Sequence, residues 1–387
     1  MKVLFVVCGE GLGHASRSLH LGYYMQQLGH EIHFAGYGKS YDFMKQHGCI
    51  NLHFTPREVF LVGENGFFNL KKTLWEARWI PFTLLASAAS IRRLLRNNGF
   101  ECVVCDTMYG GVIAAWFRRV PVVFITNQNH FNGPNGKTNP VWKVLNFLLR
   151  WYLNFADHVI IPDYPPPDTV SEFNISIPAH KRERYSFTGP FFELDSRRYI
   201  SDRLTIFTSF GGEPYKLPMY TLLRKIADRR KDLYFDVFYT GPELPASSEN
   251  FVTHGYVPNI YEFLARAKIA IVHGGLTTLH EALLFEKPVL MIMDPNHPEQ
   301  QNNARKIVEM GAGAAADGRT VTSEVLESLI EETMALKPRL FRAAHEEVNG
   351  RRNAMDIIVT TAKGRNNNKG YAITGQKERE NDHAGSR

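Results

Sequence analysis

Strong charge of either sign is missing from this chain. Its 387 residues carry 45 basic and 39 acidic side chains, a net charge of +6. Residues 363–387, with six basic and three acidic side chains, account for about half of that excess. The remainder is only mildly basic, which excludes a nucleic-acid protein defined by its charge, though not local basic patches. Cysteine is scarce as well. Cys8, Cys49, Cys102 and Cys105 are too few for a disulfide scaffold. Cys102 and Cys105 form a CxxC within "ECVVCDT", a predicted buried strand. Residues three apart on a strand face opposite ways, and no second pair exists to complete a zinc site. They are expected to be buried structural thiols, and a cytoplasmic location is the default. Long apolar runs are also missing. The longest candidate, "IPFTLLASAASI", falls well short of the roughly 20 residues that span a bilayer. "KVLFVVC" runs straight into a glycine loop without a cleavage pattern, so no signal peptide is expected.

What is present is an ordinary globular composition, 44% hydrophobic and 22% charged, at a length that suits two domains. Short apolar runs alternate with helical periods from the first residue: "KVLFVV", "HEIHFA", "CINLHFT", "CVVC", "PVVFIT" and "HVIIP" are strands with helices between them. That alternation predicts an α/β fold with a parallel sheet covered on both faces. It breaks at "YSFTGPFFELDSRRYISD", which has a Gly-Pro pair and then charge without period, as a linker does. It restarts at "LTIFTS" and continues through "LYFDVFY", "FVTHGYV", "IAIVH", "PVLMIM" and "GAAA". The expected organisation is a first unit over 1–190, a linker over 191–203, a second α/β unit over 204–362, and a polar, disordered tail over 363–387.

The first loop, "VVCGEGLGHASRS", invites a dinucleotide reading and fails it. The fingerprint needs glycine or alanine where His14 stands, and an acidic residue ending a strand that here ends "HFAGYG". Gly38-Lys39-Ser40 fails the Walker spacing, because its first glycine would fall on His33. The loop is a glycine turn from strand to helix. His14 follows at the carboxyl end of the first strand, where ligands bind in open α/β sheets. It is a local cap or an accessible functional imidazole, and the small residues around it favour the second. Asp106 ends the strand "CVVC". It is placed either to cap the next helix or to orient and charge a histidine.

The second half is more specific. His273-Gly274-Gly275 follows a strand, and a helix opens with Thr277 and Thr278. Glycine lets backbone approach a ligand closely, the helix start offers free N–H groups and positive partial charge, and the hydroxyls add donors. That is an anion site suited to a diphosphate. Glu281, one turn on, can accept from vicinal hydroxyls such as those of ribose, and Glu299-Gln300 at the next helix start can hold sugar hydroxyls.

The spacing H-G-G-x-T-T-x-x-E followed by P-E-Q-x-x-N-A resembles the donor signature of GT-B glycosyltransferases, which include the UDP-glycosyltransferases and the GlcNAc transferase that makes lipid II. Gly255-Tyr256-Val257-Pro258-Asn259 resembles their G-W-x-P-Q segment, whose aromatic stacks on the base. Tyr256 and Asn259 depart from the usual Trp and Gln. "FTSFGG", with Ser209, Gly211 and Gly212, resembles the glycine loop that opens their second domain. "GxGLGHxxRS", with Gly13, resembles a group of archaeal and bacterial members. The resemblance spans residues 1–350 and implies two Rossmann-like α/β/α domains facing each other across a cleft. It implies His14 as general base on the acceptor hydroxyl, with Asp106 as its partner. It implies a diphosphate site at His273, Gly274, Gly275, Thr277 and Thr278, ribose on Glu281, and sugar on Glu299 and Gln300.

The expected activity is therefore hexosyl transfer from a nucleotide sugar, with UDP the expected nucleotide, to an acceptor hydroxyl. The transfer is expected to be inverting, and without a D-x-D motif to need no metal or other cofactor. The alternatives are a UDP-sugar epimerase of the same fold and a non-catalytic nucleotide-sugar binding protein. The donor sugar, acceptor and oligomeric state are not written in these motifs. "NLKKTLWEARWIPF", "SIRRLLR" and "WKVLNFLLRWYLNF" mix basic residues with Trp and Phe. They suit either buried helices with flanking charge or a peripheral contact with an anionic membrane at its inner face, where a lipid or lipid-linked acceptor would be met. Apolar residues nearly all round a helix favour burial.

Overall fold

The computed structural model describes residues 1–59, 62–64, 67–132, 140–192, 203–211, 216–239, 246–257, 259–337 and 348–364. The strand–helix alternation of the sequence produces two all-parallel sheets. In the first unit the elements are β1 (Lys2–Val7), α1 (Leu12–Gln27), β2 (Glu31–Gly36), α2 (Gly38–Gln46) and β3 (Leu52–Phe54). A short hairpin of β4 (Gly63–Glu64) and β5 (Phe67–Phe68) leads to α3 (Leu70–Glu76) and α4 (Ile80–Asn98). Then come β6 (Cys102–Asp106), α5 (Tyr109–Arg118), β7 (Val122–Ile125), α6 (Pro140–Tyr152), β8 (His158–Ile161) and β9 (Tyr185–Phe187). The second unit has β10 (Leu204–Ser209), α7 (Leu217–Arg229), β11 (Leu233–Phe238), β12 (Phe251–His254), α8 (Tyr261–Arg266) and β13 (Ile269–Val272). It continues with α9 (Leu276–Leu284), β14 (Val289–Met293), α10 (Pro298–Glu309), β15 (Gly313–Asp317) and α11 (Ser323–Ala335). A last helix, α12, covers 350–364.

The strand orders are β3-β2-β1-β6-β7-β8-β9 and β12-β11-β10-β13-β14-β15. Each sheet reverses direction of growth once, at β1/β6 and at β10/β13. Loops leaving those two strand pairs part to opposite faces and leave a crevice at the carboxyl edge. His14, Asp106, Ser209 and His273 end or follow these four strands, while Tyr256 and Val257 follow β12 and Glu299 and Gln300 follow β14.

Side chains alternate across the sheets as the period of two requires. Cys102 lies in the core on one face of the first sheet and Cys105 in the core on the other. Both are free thiols, and burial raises both out of the ordinary range.

Three expectations meet a different structure. The segment "YSF", predicted as the start of a linker, is the edge strand β9, paired with β8 from Val159↔Tyr185 onward. Its apolar neighbours Phe191 and Phe192 are buried too; the rest of that linker, from 193 to 202, lies outside the described residues. Residues 350–362, assigned from sequence to the second unit, belong to α12, whose Ala354, Ile358 and Ala362 pack into the first unit's core. The tail from 365 on also lies outside the described residues. Finally, α6 buries Trp142 but leaves most of its apolar stripe outside: Val144, Phe147, Leu148 and Trp151 are exposed.

The units are tied directly. His280 Nε2 on α9 meets Asp163 Oδ1, in the loop after β8, at 2.8 Å with both side chains buried. The hairpin reaches the other way. The Phe68 N–H donates to Asp294 Oδ2, Asn296 Nδ2 donates to the Phe68 carbonyl at 3.1 Å, and Phe67 packs on the second core.

Candidate active site

β1 ends in a glycine turn, and α1 starts at its far side with Gly11 as a flanking residue at φ +88°. The helix start is pressed against α9 of the other unit. A Cβ on Gly13 would stand 3.0 Å from Thr277 Oγ1. Two helix N-termini thus meet across the cleft, and each brings free N–H groups. Between the units is a cavity of about 300 Å³. α1 lines it with Gly13, Ser16 and His20, and the second unit with Ser209, Gly211, Tyr256, Val257, Thr277, Thr278 and Glu281. His14, Asp106, His273, Gly274, Gly275, Glu299 and Gln300 are not part of this lining. They stand behind or beside it. Gly212 and Pro258 lie outside the described residues.

His14 and Asp106 are brought together from positions far apart in the chain. His14 Nδ1 lies 2.8 Å from Asp106 Oδ1. A carboxylate there selects the tautomer with the proton on Nδ1 and leaves Nε2 free to take one. Asp106 does not cap α5. The Glu58 carboxylate does, accepting from the Tyr109 and Gly110 N–H groups at 2.9 Å each. Asp106 is completely buried, and burial alone would raise its carboxyl; the charges of Arg17 and then His14 hold it well below the carboxylate range instead.

Arg17 is the residue that the motif displayed and the sequence argument left without a role. It sits three residues after His14, on the same face of α1. Its Nε donates to Asp106 Oδ2 at 2.7 Å and its Nη2 to Oδ1 at 2.5 Å, the two-pronged geometry of guanidinium and carboxylate. With the proton on His14 Nδ1, that nitrogen and Arg17 Nη2, 3.0 Å apart, both donate to Asp106 Oδ1. Ser18 Oγ donates to Oδ2 at 3.0 Å. The chain of contacts continues across the cleft. Arg17 Nη1 donates to Asn127 Oδ1 at 3.1 Å, and Asn127 Nδ2 donates to Glu299 Oε1 at 2.6 Å. Nothing in "FITNQN" marks Asn127. Only the fold sets it opposite Glu299.

The second unit's loops supply the rest. Gly274 has φ +94°, and a Cβ there would come within 2.3 Å of Met291 Cε. Gly211 and Gly275 lie against the His273 ring. Burial, helped by the Lys216 charge, pushes His273 down to about 3, so its imidazole is neutral at physiological pH. Gln300 is turned inward and accepts from the Asp294 N–H at 2.9 Å. Burial raises Glu281 to about 8. It raises Glu299 to about 7, against the Arg17 charge and the Asn127 hydrogen bond. Tyr256 is 39% exposed, and its partners come from the opposite unit. Phe43 meets it edge-on at 5.6 Å, and its hydroxyl lies 2.5 Å from His47 Nε2. Phe43 also lines the cavity, a contribution from α2 that no sequence signal announced. Among the described residues, no group of three or more His, Cys, Asp or Glu could hold a metal ion.

Comparison with known proteins bears on the family and the fold. Residues 13–164 match the family model described as Glycosyltransferase Family 4, and residues 235–358 match that of the Glycosyltransferase family 28 C-terminal domain. An uncharacterized glycosyltransferase of Methanosarcina acetivorans is 30% identical over 370 residues, covering 90% of this chain and 93% of the relative. The calicheamicin glycosyltransferase CalG4 superposes with a TM-score of 0.68 at 18% identity, over 93% of this chain and 98% of the other. A spinosyn rhamnosyltransferase solved with thymidine diphosphate gives 0.62 at 17%, over 92% and 96%. The last two speak to the fold.

Proposed function

We propose that this chain, which belongs to the GT-B glycosyltransferases, moves a hexosyl group from a UDP-sugar to an acceptor hydroxyl with inversion and without a metal ion. The observation that carries the reading is the meeting of two helix N-termini at one cavity, with a histidine–aspartate pair beside it. Displacement at an anomeric carbon needs an activated nucleophile and a stabilised leaving group. His14, its Nδ1 proton held by Asp106, takes the acceptor proton on Nε2 as the hydroxyl attacks. A positioned base of this kind is worth about 10²–10⁴-fold. Negative charge grows on the departing diphosphate at the start of α9. Free N–H groups there, with the Thr277 and Thr278 hydroxyls, are fixed in place to meet it. Glu281 takes the ribose hydroxyls, Tyr256 stacks on the base, and Glu299 with Gln300 takes the sugar. The acceptor is a lipid or lipid-linked hydroxyl, met at a membrane surface.

Thymidine diphosphate in the spinosyn enzyme makes the base a point to test. Calorimetry with UDP, TDP and GDP, in the presence of EDTA, does so. UDP is expected to bind most tightly, and His273→Ala to abolish it. Preference for another diphosphate would keep the site and discard uracil. Binding of none would discard the donor site.

A further inference from the structure

Side chains leave α1 in three directions, because a helix turns about 100° per residue. Ala15 and Leu19 enter the first unit's core. His14, Arg17 and Ser18 are each hydrogen-bonded to the Asp106 carboxylate. Leu12, Ser16 and His20, four residues apart, share the remaining arc with Gly13, and all four line the cavity between the units. Ser16 falls on an unspecified position of the "GxGLGHxxRS" pattern, and His20 lies beyond it. Apart from Gly13, the residues assigned to the donor all belong to the second unit.

A polar arc on a surface helix is ordinary when it faces water. This one faces α9 of the other unit, where Thr277, Thr278 and Glu281 line the same cavity. The two helices touch at their starts, with Gly13 against Thr277. At a rise of 1.5 Å per residue, Ser16 stands about 4.5 Å along α1 from that contact and His20 about 10 Å. Glu281 stands about 6 Å along α9 from Thr277. A ligand with its anionic end at the helix starts therefore runs between a hydroxyl and an imidazole on one side and a carboxyl group on the other. The ring of Phe43, also in the lining, meets that of Tyr256 edge-on at 5.6 Å. Phosphate donors at one end, hydrogen-bonding side chains along both walls and aromatic rings in the same lining suit a nucleoside diphosphate held by both units at once.

We infer that α1 is the second wall of the nucleotide site, with Ser16 and His20 as donor-binding residues contributed by the first unit. The inference rests on the transferase reading above and deepens it. The nucleotide bridges the units. The helix it grips carries His14 and Arg17 on the adjoining face, so a bound donor also seats the base that meets the acceptor.

Calorimetry with UDP on the full chain tests this, with thermal unfolding of each ligand-free variant measured beside it. Ser16 and His20 are half-buried at a cavity wall rather than packed in the core. Ser16→Ala with His20→Ala is therefore expected to melt close to the wild type and to lose about tenfold or more in UDP affinity, as two ordinary hydrogen bonds imply. Ser16→Phe places a ring in the cavity and is expected to abolish UDP binding. The alanine pair carries the test if the larger side chain disturbs the fold. UDP affinity within twofold of the wild type in the alanine pair, or UDP binding that survives in a folded Ser16→Phe chain, overturns the inference. In either case the wild type still binds UDP and the donor reading stands. A wild type that binds no nucleotide fails the donor reading itself, and the α1 wall with it.

Discussion

Asn127, in the first unit, donates through Nδ2 to Glu299 Oε1 of the second at 2.6 Å. Its other amide atom accepts from Arg17, which grips Asp106, the partner of His14. A carboxylate proposed to hold the donor sugar is therefore two side chains away from the pair proposed to activate the acceptor.

That link predicts a selective defect. Asn127→Ala removes a hydrogen bond to a carboxyl group, worth about 1.5–3 kcal/mol when the group is charged. Calorimetry is expected to show a 10- to 100-fold loss of affinity for the tightest-binding of UDP-glucose, UDP-galactose and UDP-GlcNAc. UDP itself should bind unchanged. Equal losses for UDP and the UDP-sugar would remove Glu299 from the sugar site.

Arg17 and His14 should separate structure from chemistry. Arg17→Met leaves Asp106 buried without its guanidinium, and breaking a buried pair in this way costs about 3–5 kcal/mol. Thermal unfolding should show a fall of many degrees. His14→Ala should unfold close to the wild type and bind UDP as before, with turnover down about 10²–10⁴-fold. Turnover that survives in His14→Ala would end its assignment as the base.

Glu281 should make stability depend on pH with a fixed sign. Its ordinary value is 4.5, and in the folded chain it stands at about 8. Below the first value both states are protonated. Between the two, the unfolded chain has released a proton that the native state still holds, so stability falls as pH rises. The slope is at most about 1.4 kcal/mol per pH unit. Glu281→Gln removes it, while the similar contributions of Glu58 and Glu299 stay in both proteins. The variant's advantage in melting temperature should grow from pH 4.5 to pH 8 and then level off. A constant difference across that range would show that Glu281 is ionised in the native state.

Tyr256 has two partners to distinguish, the base it is proposed to stack on and the His47 ring it touches. Stacking is worth about 1–3 kcal/mol per base. Tyr256→Ala should weaken UDP binding by about 5- to 100-fold. Tyr256→Phe keeps the ring and drops the contact with His47, so UDP affinity should be equal or higher. If Phe behaves like Ala, the hydroxyl matters and stacking does not carry the interaction.

Much of this protein is local physics and was legible. Apolar runs with periods of two and 3.6 predict the strands and helices of both units. Glycine turns at strand ends put His14, Ser209, His273 and Thr277 at the carboxyl edges, because a turn, a helix start and a strand end are set by residues close in sequence. That alone determined the fold class and set the residues proposed for the donor at strand ends. Tertiary structure decided the rest. Arg17 reaches Asn127 over 110 residues and Asn127 reaches Glu299 over 172, distances at which no sequence period operates. Phe43 meets Tyr256 only because α2 faces the second unit. Whether the apolar stripe of α6 is core or surface depends on what packs against it. Its own residues show that a stripe exists, and only the neighbouring elements decide which way it points.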